Sequence, residues 1–464
     1  MALKVLLTSA RTLERRPGPS GLPFRVRQRA FGLHLVAQNV RAPVMLVERP
    51  TREQFARLLE HERFDLVGIS LCACELGRAR DLARLVRLVQ PSAVLMLGGP
   101  GAAVQGIEQV LDGDHVERGD GILAVRRLLQ EDEEAPVRMP AIGAGTLSTP
   151  VGLQEMALLV TGVAGEAGRR RLFEDGDALF AEAQRLRAET GAETFLVPDE
   201  GFLRDLRLSR GFSAAMEREG RAFELVAFAR LDDLLRWPEE DLVRLGVFAL
   251  VVCGERFSAA HVAKVRSLRE CGIAVHATVV FREGAADAAL TEALGLEADA
   301  TELALDLAPR ARAAELLEET ESAAATTELA QVRLALAGRQ VSRVVRLART
   351  LLDGYRTYEF SDDPWLRRRA VQGRARLENL RLLLSGPSAA REAERALRES
   401  VERDFDRLLG PQSLPDRALA MTAQALREVQ GAVRRAIETP AAPVCHYRWG
   451  GADNGRRRDR FSAD

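Results

Sequence analysis

The feature that most constrains this fold is a long alternation of short apolar runs with amphipathic segments. Between Lys4 and about Gln130 the runs are "KVLLTS", "PVMLVE", "FDLVGIS", "AVLMLGG" and "DHVERGD", separated by segments such as "TREQFARLLEHE" and "ELGRARDLARLVRLV". Buried strands alternating with helices at this spacing predict a parallel, doubly wound α/β sheet of about five strands. A second alternation follows, with "MALLVTG", "AETFLVPDE", "FELVAFAR", "VFALVVCGE", "IAVHATVVF" and "ATELALDLAP", each followed by a helical pattern. Strand–helix units joined by right-handed crossovers predict a partial (β/α)6 barrel with its working face at the carboxyl ends of the strands.

Between the two alternations, "EDEEAPVRMPAIGAGTLSTPVG" shifts from acidic residues to Pro, Gly, Ser and Thr without helical periodicity, as expected of a linker. Beyond about Arg312 only amphipathic helical patterns remain, and the end of the chain is polar and Gly-rich. The expected division is therefore an α/β domain over 1–134, a linker over 135–152, a partial barrel over 153–312, a helical C-terminal region over 313–440 and a disordered tail over 441–464.

Composition narrows the function classes. A net charge of -1 gives no overall pull toward nucleic acid or anionic membrane. The five cysteines, Cys72, Cys74, Cys253, Cys271 and Cys445, are scattered and odd in number, which argues against a secreted disulfide framework. No uninterrupted apolar run is long enough for a membrane span, and no signal-peptide pattern precedes "KVLLTS", so a cytoplasmic protein is expected.

Two groups of residues carry a resemblance. "VGISLCAC", "VLMLGGPG" and "HVERGDG" place Ser70, Cys72, Gly98, Gly99 and Gly101 at the ends of consecutive strands. In the second alternation, "FLVPDEGFLRD" places Asp199, Glu200, Phe202 and Leu203 after a strand, and "VVCGER" does the same for Gly254 and Glu255. The order of parts and these positions resemble the cobalamin-binding radical SAM proteins, from Val5 to roughly Leu409.

The resemblance implies a flavodoxin-like cobalamin-binding domain, a radical-SAM-like partial barrel and a helical C-terminal region. Ser70, Cys72, Gly98, Gly99 and Gly101 would contact cobalamin, and Asp199, Glu200, Gly254 and Glu255 would surround S-adenosylmethionine. A strand-end hydroxyl can hydrogen-bond a nucleotide tail, and paired glycines let it approach the backbone. Departures from the family pattern are specific. Cys72 replaces a Leu, Gly101 stands where a His is common, Arg256 replaces a Ser, and no Asp-x-His-x-x-Gly motif supplies an axial histidine. His34, in "FGLHLVAQ", and His115 read as a packed helix residue and a strand-edge residue. Asp199 and Glu200 have a second reading, as caps of the helix that follows.

The family's first barrel loop carries three cysteines that hold a four-iron cluster. Aligned on Gly162, "VTGVAGEAGRRR" has Val163, Ala167 and Arg170 at those places, so a four-iron four-sulfur cluster is not expected. Arg169, Arg170 and Arg171 either form an anion site or belong to a relaxed loop in which they are solvated or pair with Glu166 and Glu174. The function this implies is a non-catalytic binding or regulatory partner, with a related active enzyme as protein partner and neither nucleic acid nor membrane involved. The alternatives are a methyltransferase using cobalamin and S-adenosylmethionine without a cluster in this chain, and a homologue without cofactors that acts through its C-terminal helices.

Overall fold

Strand β1 (Val5–Ser9) is buried along its whole length, as a strand covered by helices on both faces must be. The computed structural model describes residues 3–10, 24–26, 29–72, 75–149, 152–165, 168–281, 291–292, 295–298, 300–305, 358, 361–369, 452–453 and 456–457. After β2 (Phe24–Val26) come α1 (Phe31–Gln38), β3 (Val44–Val47), α2 (Arg52–His61), β4 (Leu66–Ser70), α3 (Leu76–Val89), β5 (Val94–Gly98), α4 (Ile107–Leu111), β6 (His115–Val116) and α5 (Gly121–Leu128). All but β2 build an α/β unit around a five-stranded parallel sheet of order β3-β1-β4-β5-β6.

Local chemistry sets the helix starts. Thr51 and Gln54 form a reciprocal capping box, with Gln54 N donating to Thr51 Oγ1 at 3.1 Å and Thr51 N donating to Gln54 Oε1 at 2.9 Å. Helix α2 turns Phe55 and Leu59 inward, and α3 adds Leu82 and Val86 to the same core. Helices α1 and α5 cover the opposite face with Leu33, Val36, Ile122 and Val125.

The second sheet is built from β7 (Gly143–Thr149), β8 (Gly152–Leu158), β11 (Thr194–Val197), β12 (Glu224–Ala229), β13 (Val247–Gly254), β14 (Ala274–Phe281) and β15 (Ala300–Leu305). Between β8 and β11 lies a hairpin, β9 (Gly162–Gly165) and β10 (Gly168–Arg171). Strands β8, β11, β12, β13, β14 and β15 run parallel in that spatial order, at the places where the apolar runs predict strands. The helices between them are α6 (Gly176–Thr190), α7 (Gly201–Arg204), α8 (Leu206–Arg218), α9 (Leu231–Leu234), α10 (Glu239–Leu245) and α11 (Ala259–Glu270).

The segment expected as a linker is structured in part. Its residues Gly143–Thr149 are β7, antiparallel to β8, and β2 pairs antiparallel with β7 at the sheet edge. Small residues and Thr at this position satisfy a pleated ladder, which the search for helical periodicity does not detect. Strand β2, inside the first 134 residues, is thus hydrogen-bonded into the second sheet. One apolar core also runs across both units, joining Leu33, Val36 and Val125 to Met139, Met156 and Leu158.

Most of the expected helical region and tail lies outside the described residues. Residues 364–369 are helical and dock on the second sheet's helices. There Trp365 Nε1 donates to Arg244 O at 3.1 Å, and buried Arg369 donates to Phe223 O at 2.5 Å. In the segment expected to be a disordered tail, residues 452–453 and 456–457 pair as a short antiparallel ladder. Among the described residues, no helix is long and apolar enough to cross a membrane.

Candidate functional site: a trough in the first sheet and a strap of arginines

The chain leaves β1 toward β3 on one side and returns to β4 on the other, so the strand order reverses between β1 and β4. In such sheets ligands bind at the carboxyl ends of the strands beside this switch point. A cleft of about 190 Å³ lies there, floored by the sheet and roofed by α1 and α5. Strand register explains its shape. Leu7, Gly68 and Met96 are cross-strand neighbours, and one pleat further on so are Ser9, Ser70 and Gly98. The two glycines leave the floor low, and a Cβ on Gly98 would meet nothing within 4 Å. The apolar roof is made by Leu33, Val36, Ile122 and Val125.

Gly99 has a different role. Its φ is +85°, and a Cβ there would lie 2.7 Å from Ser70 Oγ and 2.9 Å from Leu71 O. Only glycine fits where this loop passes the end of β4. Ser70, Gly98 and Gly99 thus line one trough, while Cys72 and Gly101 are not among its lining residues. Cys72 is buried and its N–H donates to Glu75 Oε2 at 2.8 Å; Gly101 N donates to Leu71 O at 2.8 Å in the turn behind the trough.

Glu117, Gly119, Asp120 and Gly121 also line the trough, though only the first two sets of strand ends carry site residues in the sequence reading. The signal was present in "ERGDG", which follows the fifth apolar run and falls at a carboxyl end by the same topological rule. Asp120 Oδ1 accepts from Ile122 N at 2.9 Å and Leu123 N at 3.2 Å, capping α5. None of His34, His61 and His115 is a lining residue: His34 Nε2 lies 3.4 Å from Glu48, His61 is at the end of α2, and His115 is exposed.

The arginine run is not the relaxed loop expected of it, although its arginines do pair with acids. It is a strand, and strand alternation sends Arg170 to one side and Arg169 and Arg171 to the other. Arg170 Nε donates to Asp120 Oδ2 at 2.5 Å, and its cross-strand partner Val163 lines the trough. Arg171 pairs with Asp205 at 2.7 Å, and Asp205 caps α8 by accepting from Leu208 N at 3.2 Å. Arg169 pairs with Asp199. Among the described residues each guanidinium is matched to an aspartate rather than left to an anion, and Glu174 is not one of these partners, while Glu166 lies outside the described residues.

The Arg169 pairing is the most enclosed. Arg169 Nε donates to Asp199 Oδ1 at 3.1 Å, Nη2 donates to Thr161 Oγ1 at 2.7 Å, and Nη2 also meets Asp199 Oδ2. Thr161 Oγ1 donates to Asp199 Oδ2 at 2.5 Å, and Gly201 N donates to Asp199 Oδ1 at 2.9 Å. The Asp199 side chain is 4% exposed. A Cβ on Gly162 would fall 2.3 Å from Arg169 Cζ, and one on Gly201 would fall 2.3 Å from its Nε. Two glycines, a threonine and a buried carboxylate therefore make a slot that the guanidinium fills, at the carboxyl ends of β8 and β11.

Asp199 takes an amide at the start of α7, as the capping reading expects, whereas Glu200 at the N-cap position makes no side-chain cap bond. Burial pushes the half-buried Glu200 carboxyl up to about 7, against the opposing pull of Arg230 and Arg204 and with the added push of Asp199 and Asp233. Gly254 packs on Phe257, whose ring would be 2.7 Å from a Cβ there, and Glu255 is exposed. Among the described residues, no group of three or more His, Cys, Asp or Glu is placed to hold a metal ion.

No family model and no curated protein matches the sequence. Among solved structures, the chain is similar to the radical S-adenosylmethionine methyltransferase TsrM from Kitasatospora setae, determined with cobalamin and a 4Fe-4S cluster bound. That match has 13% identity and a TM-score of 0.46, over 66% of this chain and 75% of that one. The same enzyme with tryptophan substrate and the SAM analog aza-SAM matches at 12% identity and a TM-score of 0.45, over 65% and 72% of the two chains. The carboxyl transferase domain of Rhizobium etli pyruvate carboxylase matches at 15% identity and a TM-score of 0.24, over 93% and 61%.

Proposed function

We propose that this chain is a cobalamin-binding, radical-SAM-like protein without a cluster of its own, acting as a non-catalytic binding or regulatory partner of a related active enzyme. The trough carries the reading. Ser70, Gly98 and Gly99 meet there under an apolar roof, and the open space above Gly98 suits a long, flat nucleotide tail that must pass close to the backbone. The residues present fit such a tail. They do not fit a four-iron cluster, because Val163, Ala167 and Arg170 offer no thiolate, and Val163 and Arg170 are turned toward the trough instead. S-adenosylmethionine also meets an obstacle, since Asp199 is already paired with Arg169.

Titration of the full chain with hydroxocobalamin, followed by gel filtration and the absorbance of the retained corrin, tests the reading. One equivalent retained by the wild type and lost in Gly98→Leu is expected; no retention by the wild type overturns cobalamin binding. Anaerobic reconstitution with iron and sulfide is expected to leave no iron–sulfur absorbance, and stoichiometric iron would overturn the loss of the cluster.

One observation favours a second reading, a methyltransferase using cobalamin and S-adenosylmethionine without a cluster in this chain. Glu200 is half-buried at a strand carboxyl end and titrates near neutrality, as a proton acceptor does. Methylcobalamin formed from S-adenosylmethionine under a chemical reductant would select it.

A further inference from the structure

The trough changes character with depth. Among the described residues, the lining side chains able to hydrogen-bond are Ser70, Glu117 and Asp120, and all three stand at its mouth: Ser70 ends β4, Glu117 follows β6 and Asp120 caps α5. Two of them are already engaged, since Glu117 Oε1 accepts from Gly119 N at 2.5 Å and Asp120 receives Ile122 N and Arg170. One pleat deeper the floor is Leu7, Gly68 and Met96, under a roof of Leu33, Val36, Ile122 and Val125. These six side chains are at most 9% exposed, and none carries a donor or a strong acceptor. The floor's peptide groups offer no substitute, because β4 lies between β1 and β5 and spends its N–H and C=O groups on both ladders. Leu7 also leans over Gly68, where an added Cβ would fall 2.7 Å from Leu7 Cδ2.

We propose that the trough selects among corrinoids by the polarity of the base on the nucleotide tail, taking an apolar base and discriminating against a purine. The inference rests on the reading of the trough as the seat of such a tail. It goes further by assigning the choice of base to the deep residues, Met96 and Val125 among them, rather than to Ser70, Gly98 and Gly99. An adenine at this depth buries an exocyclic amine and ring acceptors without partners, whereas a cresol or dimethylbenzimidazole base brings methyl groups to the same walls. One unpaired polar group is enough for a discrimination of about tenfold.

Equilibrium dialysis of the full chain against four corrinoids, read by corrin absorbance, tests the selection. They are hydroxocobalamin, its adenine-based and cresol-based counterparts, and cobinamide, which lacks the nucleotide tail. The cresol base is apolar and cannot bind cobalt, so its comparison with adenine does not depend on breaking a bond from base to metal. The cresol corrinoid is expected to bind about 10- to 100-fold more tightly than the adenine corrinoid, and cobinamide more weakly than the cresol corrinoid. Met96→Gln brings an amide of similar size to the floor and should narrow the ratio at least about threefold; if it fails to fold, Val125→Thr, which puts a hydroxyl in the roof, carries the same test. Equal affinity for cresol and adenine corrinoids overturns the selection and leaves corrinoid binding standing. A ratio that neither substitution moves overturns its assignment to the deep residues, and cobinamide held as tightly as the cresol corrinoid overturns the seating of the base. Failure of all four to bind overturns the proposed function and the selection with it, an outcome distinct from the others.

Discussion

Adjacent glycines at the end of β5 should respond in opposite ways to the same added methyl group. Gly99 has φ +85° and ψ -179°, a region that residues with a Cβ scarcely enter, and occupying it costs about 1–3 kcal/mol. In Gly99→Ala the new carbon would also lie 2.7 Å from Ser70 Oγ and 2.9 Å from Leu71 O. The hydroxyl can rotate, but the carbonyl belongs to backbone that accepts Gly101 N at 2.8 Å, so relief requires breaking that turn. The net bond lost there adds about 1 kcal/mol. Gly99→Ala should therefore cost roughly 2–4 kcal/mol. Gly98 lies in the strand without a left-handed φ and with nothing within 4 Å of its Cβ, so Gly98→Ala should leave stability within about 1 kcal/mol, gaining through the unfolded state if anything. Its methyl group projects into the trough, so cobalamin retention should weaken while the fold stays intact. Urea melts at neutral pH and cobalamin titrations of both variants measure the two effects. Equal urea midpoints for the two variants would refute the assignment of conformational need to Gly99 and ligand space to Gly98.

Other perturbations test the second sheet and its supports. Because folding raises the Glu200 pKa from 4.5 to about 7, the unfolded chain releases its proton first, and the wild type should lose stability as pH rises from about 4.5 through 7. Glu200→Gln should remove that slope and be roughly 1–3 kcal/mol more stable than the wild type at pH 8; parallel pH–stability curves from melts at pH 5 and pH 8 would contradict it. Asp205→Ala loses both the α8 cap and the half-exposed Arg171 pair, for about 1–2 kcal/mol in urea melts, whereas Asp205→Asn keeps the cap and should stay within about 1 kcal/mol. Trp365→Ala removes a ring that is 7% exposed and stacked by Arg369 at 5.0 Å, and should cost about 3 kcal/mol with faster proteolysis after residue 369.

What could be read from the sequence follows from period and length. The apolar runs that became β1, β4, β5, β11, β12 and β13 are continuous because both faces are buried, and continuous runs are visible without knowing any partner. Strand β7 was hidden because "GAGTLST" has small residues and no apolar periodicity, and its stability comes from ladders to β8 and β2 that lie far apart in sequence. Ser70, Gly98 and Gly99 could be located because each ends a legible strand. The pairing of Arg169 with Asp199, across thirty positions, could not, because it depends on the hairpin that strand register alone creates. The arginines could be seen as charges but not as partners.

That hairpin holds three adjacent like charges because of how the receiving carboxylates are divided. Asp120 gives Oδ1 to the amides of Ile122 and Leu123 and Oδ2 to Arg170. Asp205 gives Oδ1 to Leu208 N and Oδ2 to Arg171. Asp199 gives Oδ1 to Gly201 N as well as to Arg169 Nε, and Oδ2 to Thr161 and Arg169 Nη2. An aspartate at a helix start already gives one oxygen to amide donors, so its second oxygen receives a guanidinium in a geometry the helix fixes. Alternation along β10 then sends one arginine to the helix that roofs the trough and two to the helices that follow β11. The same short strand therefore ties the first sheet's ligand trough to the carboxyl ends of the second, where the buried Asp199 and the near-neutral Glu200 sit side by side.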